Sequence, residues 1–236
     1  MNIILFDKDV REFKKGDERY EHLKKVLHAT LGSEFRGGEL NGDVGVCTIT
    51  ALDSEKITFT FEGDKEDIDL HPLTVLLALV RPICMKRILR ELVSLGVERI
   101  ILTRSDLGEK SYSESSLYTT DEYKNIMING AMQGGHTGVS QVIFASKVED
   151  AIKSVDNNYT MLLLDNVVGA KRFKELELKN KRVCIAIGPE RGWSDREREL
   201  LLDAGFIPTI MGDHILRTET ASVAAVALSL EAMDII

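Results

Sequence analysis

The sequence predicts an α/β protein in which a small β-rich domain, residues 1–70, precedes a larger domain, residues 71–236, built on a mostly parallel sheet. Three observations predict it. From Leu73 onward six apolar runs (74–80, 99–103, 141–145, 160–165, 183–187 and 207–211) alternate with segments of helical spacing, the pattern of a parallel sheet with crossover helices. Ahead of them, short strand-like runs at 3–6, 33–36, 45–51 and 56–61 surround one helical stripe, with Asn41-Gly42 as a hairpin signal. Between the two patterns the acidic, polar run 64–69 and the punctuation His71-Pro72 set a boundary near residue 70.

Composition narrows the function classes. At 236 residues and 44% hydrophobic content the chain can bury a sizeable core. No run approaches the roughly 18 apolar residues of a membrane span, and the first residues lack a basic region leading into an apolar run and cleavage site, so a cytoplasmic protein without membrane contact is expected. Cys47, Cys84 and Cys184 are far apart and embedded in apolar patterns, which reads as reduced core thiols. Neither they nor the five scattered histidines have the spacing of a metal ligand set, and no metal is expected. The net charge of −8 opposes a uniformly basic nucleic-acid binder, but the acid is concentrated early: 16 acids against 10 bases in residues 1–70, and 22 against 20 afterwards. The stretch 81–104 holds Arg81, Lys86, Arg87, Arg90, Arg99 and Arg104 against only Glu91 and Glu98, enough for a local basic patch.

Taken in order, Tyr20, Leu23, Val26 and Leu27 form a helical stripe of about three turns, with His22 and His28 as surface or packing residues. Met85, Ile88, Leu89, Leu92 and Leu95 repeat at helical spacing until Gly96, leaving Lys86, Arg87 and Arg90 on other faces. The run 104–120 is too polar for core and too long for a routine connection. Arg104, Lys110 and Tyr112 within it read equally as ligand contacts or as solvated loop. No GxGxxG follows a strand, so a Rossmann cofactor site is not expected.

The most informative stretch is 182–225. Two strand runs end abruptly at Gly188 and Gly212, where glycine permits a positive φ or a close backbone approach to a ligand. Between them Ser194-Asp195-Arg196-Glu197 is a capping box and Gly205 a helix stop. After Gly212 the polar stretch to Ala221 runs into ASVAAVALSL, a buried helix that starts at a polar site. Glu190, Arg217 and Glu219 thereby fall at consecutive strand carboxyl ends, where open parallel sheets bind ligands.

The blocks IGPERGWSDRE and MGDHILRTETA resemble the signature of the RsmE-type methyltransferases of the SPOUT class. The resemblance implies methylation of N3 of a uridine in 16S ribosomal RNA of the small subunit, S-adenosylmethionine held in the loops of a deep trefoil knot, a homodimer, and a PUA-like β-barrel over residues 1–70 that helps hold RNA. Leu164, Asp165, Ile187, Gly188, Pro189, Glu190, Met211, Gly212, Ile215, Leu216, Thr220 and Ala221 would hold the cofactor, and Arg104, Lys110 and Arg217 the RNA. His28 stands where many members carry arginine, and Gln133 matches a family segment from which His136 departs. Methylation at N3 must remove a proton as the methyl arrives, which makes Glu190 and Glu219 the candidate bases, Glu219 favoured by its neighbour Arg217. Arg217 itself either binds a phosphate or a developing oxyanion, or pairs with one of those acids. Trp193 either stacks on a base or staples the following helix, and Lys171-Arg172-Phe173-Lys174 with Lys181-Arg182 read as solvated surface. The alternatives are the same chemistry on another RNA, or a non-catalytic RNA-binding or ribosome-assembly factor.

Overall fold

The computed structural model describes residues 2–66 and 70–236. Residues 67–69, the end of the acidic run read as a boundary, lie outside the described residues. The chain forms two compact units, Met1–Asp69 with Ala131–Val139, and Leu70–Gly130 with Ser140–Ile236.

In the first unit β1 (Ile4–Phe6), β2 (Glu12–Lys14), β3 (Glu34–Glu39), β4 (Asp43–Leu52) and β5 (Lys56–Glu66) form a mixed sheet in the order β1-β3-β4-β5-β2, parallel only between β1 and β3. Register shifts in the long β4–β5 pair, at Val44/Gly45 and Ile49/Ala51, curl the sheet. Phe6, Phe13, Phe35 and Phe59 meet inside it with ring centroids 4.9–6.3 Å apart. Asn41 takes φ +53 in the β3–β4 hairpin, the left-handed conformation its turn requires. The stripe near residue 20 forms α1 (Glu18–Glu21), capped by Asp17, and then loosens into a π-type turn over His22–Val26. Tyr20 and Leu23 are buried, but Val26 and Leu27 point outward, so only half of the expected stripe packs.

The segment Ala131–Val139 belongs to this unit through backbone contacts that hydropathy does not encode. Asn2 N donates to Met132 O at 3.0 Å, Asn41 N to Thr137 O at 2.9 Å, and Val139 N to Asn41 Oδ1 at 2.8 Å.

The second unit runs β6 (His71–Ala78), α2 (Pro82–Ser94), β7 (Val97–Thr103), α3 (Ser116–Thr119), α4 (Glu122–Gly134), β8 (Gln141–Ala145), α5 (Val148–Lys153), β9 (Tyr159–Leu164), β10 (Lys171–Arg172), β11 (Arg182–Ile187), α6 (Asp195–Asp203), β12 (Ile207–Ile210) and α7 (Thr218–Ala232). Its seven strands lie in the order β10-β12-β9-β11-β6-β7-β8 and every pairing is parallel. The six expected strands are all present; the two-residue β10 is too short to leave a hydropathy signal. The central strands are buried on both faces, with Leu73–Ala78 and Val183–Ala186 apolar but for Thr74 and almost wholly out of solvent. Because the strands are parallel, the segments that follow β6, β7, β9, β11 and β12 emerge at one edge of the sheet. Order reverses at the β6–β11 neighbours, the switch point at which such sheets leave a crevice. Among the described residues no helix is long and apolar enough to cross a membrane.

Candidate functional site

A cavity of about 920 Å³ opens at the carboxyl ends of β9, β11 and β12. Leu164 and Asp165 leave β9 into it, Ile187 to Gly192 leave β11, and Met211 to Glu219 lead from β12 into α7. Of the twelve expected cofactor residues eleven line it; Thr220 does not. Arg217 and Glu219 also line it, whereas Arg104 and Lys110 do not. Tyr112 does, and sequence reasoning missed Arg81, Cys84, Leu107, Glu109 and Arg198 in its wall. Arg81 and Cys84 come from the start of α2, and Leu107 and Glu109 from the polar segment after β7, neither of which the two glycine-ended strands point to.

The first loop is fixed from within. Ser194 caps α6 by accepting from Glu197 N at 3.2 Å, and Glu197 Oε2 accepts from Ser194 N at 2.9 Å, the capping box read from the sequence. At the other end Gly205 has φ +91, with Gly205 N donating to Leu202 O and Phe206 N to Leu201 O, a Schellman stop. Gly188, which lines the cavity, does not take a positive φ. A Cβ there would sit 3.2 Å from Trp193 N and 3.3 Å from Gly192, so it lets the loop fold back onto itself. Trp193 is 1% exposed and packs with Leu201 and Phe206 in the core, which rules out base stacking; the staple fails too, since position N4 is Arg198.

Asp165 is a structural carboxylate. Oδ1 accepts from Val167 N at 2.7 Å and Val168 N at 3.1 Å, while Oδ2 takes Arg198 Nε at 2.9 Å. The turn after β9 therefore keeps its shape without a ligand. Glu190 is exposed and accepts from Arg81 N at 3.3 Å, just ahead of Pro82 at the start of α2. The Arg81 side chain lies near Tyr112, the main cause of its raised pKa, with the charge of Glu190 adding to it.

Glu219 lies in the first turn of α7. Its own backbone N–H is the largest influence holding its carboxyl below the usual carboxylate range; burial opposes this, and the Cys84 thiol, Arg217 and Arg87 reinforce it. Cys84 is thus not a core thiol. It is half-buried in the cavity wall beside Glu219, and burial, then that contact, push its pKa up. Cys47 and Cys184 are core thiols, each pushed up to about 12 by burial. Among the described residues the Arg217 guanidinium makes no hydrogen bond or ion pair, and it acts on Glu219 through charge alone.

The basic stretch 81–104 does not form one open patch. Lys86 pairs with Glu122, Arg90 with Glu91, and Arg99 with Asp156. Other lysine and arginine residues read as solvated are also engaged: Arg172 meets Asp213 at 2.8 Å, and Arg182 packs on the Tyr159 ring and pairs with Glu98. Among the described residues no group of three or more His, Cys, Asp or Glu side chains could hold a metal ion.

Comparison with known proteins places this geometry. The family described as the RNA methyltransferase domain matches residues 67–230. The chain is similar to ribosomal RNA small subunit methyltransferase E of Treponema pallidum (strain Nichols), 34% identical with 98% of this chain and 91% of that protein covered. It is similar also to ribosomal RNA small subunit methyltransferase E 1 of Borreliella burgdorferi, 32% identical with 95% of each covered. Its fold is shared with the crystal structure of a ribosomal RNA small subunit methyltransferase E from Neisseria gonorrhoeae bound to S-adenosyl methionine, at a TM-score of 0.80, 20% identity and coverage of 98% and 97% of the two chains.

Proposed function

Since the chain belongs to the ribosomal RNA small subunit methyltransferase E family, we propose that it transfers a methyl group from S-adenosylmethionine to N3 of a uridine in 16S ribosomal RNA, as a cytoplasmic homodimer. The observation that carries this reading is the convergence of Glu190, Arg217 and Glu219 on one cavity whose wall also holds strand-end aliphatics and the backbone of Gly188 and Gly212. The fit to the cofactor is physical. Leu164, Ile187, Met211 and Leu216 offer apolar surface to a neutral adenine, and a Cβ built on Gly212 meets nothing within 4 Å, which leaves room for a ligand against the main chain.

S-adenosylmethionine supplies an activated methyl on a sulfonium that leaves as a neutral thioether. The protein's part is to align uridine N3 with that methyl and to manage charge. Arg217, with its guanidinium uncommitted, would clamp a phosphate or the uracil oxygen on which charge builds as N3 loses its proton. Glu219 stays ionised near neutrality because its pKa is lowered, which makes it a hydrogen-bond acceptor first and a weak proton acceptor second. Glu190, anchored through the Arg81 N–H, is the second carboxylate able to take the N3 proton.

Three further parts of the reading rest on topology and surface. β12 lies between β9 and β10, two strands already joined directly in sequence, so the chain from β12 into α7 passes within the loop that joins them; this supports the trefoil knot. The curled mixed sheet of the first unit supports a PUA-like module that helps hold RNA. α7 is apolar around its circumference yet leaves Leu228 exposed, beside a neighbouring α2 that exposes Ile83, which supports a homodimer through these helices.

Calorimetric titration with S-adenosylmethionine, followed by methyl transfer to small subunits and mapping of the modified base, tests the proposal. One cofactor per protomer and a 3-methyluridine are expected; a folded protein that neither binds the cofactor nor methylates small subunits rejects it. As to pH, a carboxyl whose pKa is lowered on folding contributes fully above its unfolded value and loses that contribution as pH falls through the folded one. With Glu219 and Asp106 both lowered, their contribution to folding stability is expected to be complete near neutrality and to be lost only below roughly pH 4, read by thermal unfolding across pH. Wild-type acid dependence of unfolding in Asp106→Asn would count against this.

A further inference from the structure

The outer wall of the cavity is not supplied by a strand end or by α7. It comes from the segment after β7, which brings Leu107, Glu109 and Tyr112 to the site. That segment is polar and has little core of its own, so something must hold it in place.

The holding groups sit on the first turn of α6. Glu197 is fully buried, and an ordinary capping box would use only one of its oxygens. Here Oε2 serves Ser194 N at 2.9 Å and Oε1 accepts from Asp106 N at 2.8 Å, reaching 91 residues back along the chain. The Asp106 carboxylate answers by accepting from Ser194 Oγ at 2.6 Å and from Arg196 Nε at 3.0 Å and Nη2 at 2.8 Å. Those bonds, Arg196 first and Ser194 second, hold its carboxyl below the usual range. Arg196 is fixed from its far side by Glu149 at 2.6 Å. Beyond Gly108, Tyr112 reaches the cavity wall near Arg81, whose own N–H is held by Glu190.

We infer that Asp106, Arg196 and Glu197 are positioning residues: they latch the segment after β7 onto α6 and so set how tightly the cavity holds its occupant. Isolated surface ion pairs contribute little, but a forked arginine–carboxylate contact joined to a buried backbone acceptor acts as a network. None of the three residues lines the cavity, so their effect on binding passes through Leu107, Glu109 and Tyr112. The identity of the occupant as S-adenosylmethionine rests on the function proposed above.

The experiment compares wild type with Asp106→Ala, Asp106→Asn, Arg196→Ala and the Asp106→Ala/Arg196→Ala pair. Two quantities are read: S-adenosylmethionine affinity by calorimetry, and amide hydrogen exchange of residues 104–114 in the ligand-free protein. Emission from Trp193, the sole tryptophan, reports that the fold is intact. Asp106→Ala is expected to weaken affinity about tenfold and to speed exchange of 104–114 by a similar factor. Asp106→Asn, which keeps an acceptor for the Ser194 hydroxyl, should fall between, and the pair should lose no more than Asp106→Ala alone because the groups act as a unit. Wild-type affinity or wild-type exchange in Asp106→Ala, with native Trp193 emission, overturns the inference; should that variant not fold, the same outcomes in Asp106→Asn decide it. If wild type itself binds no S-adenosylmethionine, the proposed function falls, and the exchange measurement alone then accepts or rejects the latch.

Discussion

The two loops that bound the cavity, 188–193 after β11 and 211–217 after β12, begin from the same sequence pattern, an apolar strand ending in glycine, and reach opposite physical states. The first is committed to its own protein. Trp193 is buried, Glu190 holds the Arg81 N–H, and the Ser194–Glu197 box fixes its exit. The second is largely exposed: Ile215 is 83% and Leu216 38% exposed, and Arg217 makes no side-chain hydrogen bond or ion pair among the described residues. The Arg172–Asp213 pair is the one ion pair on it among the described residues, and Asp213 is itself 82% exposed on its side chain. A rigid wall facing an uncommitted one is what a site needs if the occupant is to complete the second wall by binding.

That contrast is broken most severely at Arg217. Arg217→Ala removes a side chain that makes no hydrogen bond or ion pair among the described residues and touches Glu219 through charge alone, so the melting temperature should stay within about 2 °C of wild type while turnover falls by about 100-fold or more. Unchanged turnover in a methyl-transfer assay would take Arg217 out of the chemistry, and a large drop in melting temperature would mean that the second loop is not free after all.

The glycines separate the loops next. A side chain at Gly188 meets the backbone of Gly192 and Trp193 at 3.2–3.3 Å, whereas one at Gly212 meets nothing within 4 Å. Gly188→Val should therefore cost about 1–3 kcal/mol of stability and weaken cofactor binding with it. Gly212→Val should leave stability nearly unchanged and weaken binding alone. Denaturant unfolding read beside calorimetry distinguishes the two patterns, and equal stability losses would dissolve the distinction between the loops. Ile215→Ser is a milder version of the second case: its side chain is already in water, so stability should move by less than about 0.5 kcal/mol, and any loss of affinity reports contact with the occupant.

The same contrast explains what the sequence could say. Strand ends, the capping box and the Gly205 stop are local signals, and they located Glu190, Arg217, Glu219 and most of the cavity wall. The reason for Gly188 was not legible, because the atoms it must avoid belong to a turn whose path depends on burying Trp193. Arg81 and Cys84 were invisible for a related reason. α2 announced itself through Met85, Ile88, Leu89 and Leu92, and nothing in that stripe tells which of its remaining faces meets α7. Segment 131–139 joins the first unit through hydrogen bonds, among them those of the Asn41 and Thr137 side chains, that leave no hydropathy pattern. The exposure of Val26 and Leu27 follows from the π-type turn, which rotates the end of the stripe away from the sheet.

The smallest expected effect lies at Ser194, and it tests whether the rigid wall is one unit. As a helix cap alone, Ser194→Ala would cost about 1 kcal/mol and leave ligand binding untouched. In this structure the same hydroxyl accepts from Glu197 N and donates to Asp106, so its loss removes a cap and also one of the four bonds that hold Asp106. Arg196 keeps its two bonds to Asp106 and Glu197 keeps the Asp106 N–H, so the latch should weaken without opening. The expected outcome is a stability loss of about 1 kcal/mol together with a two- to threefold weaker cofactor affinity. Ser194→Thr, which retains the hydroxyl, should recover most of both. If stability falls and affinity does not, the cap and the latch are separate features that happen to share an oxygen, and the first loop is rigid for reasons that lie within α6 alone.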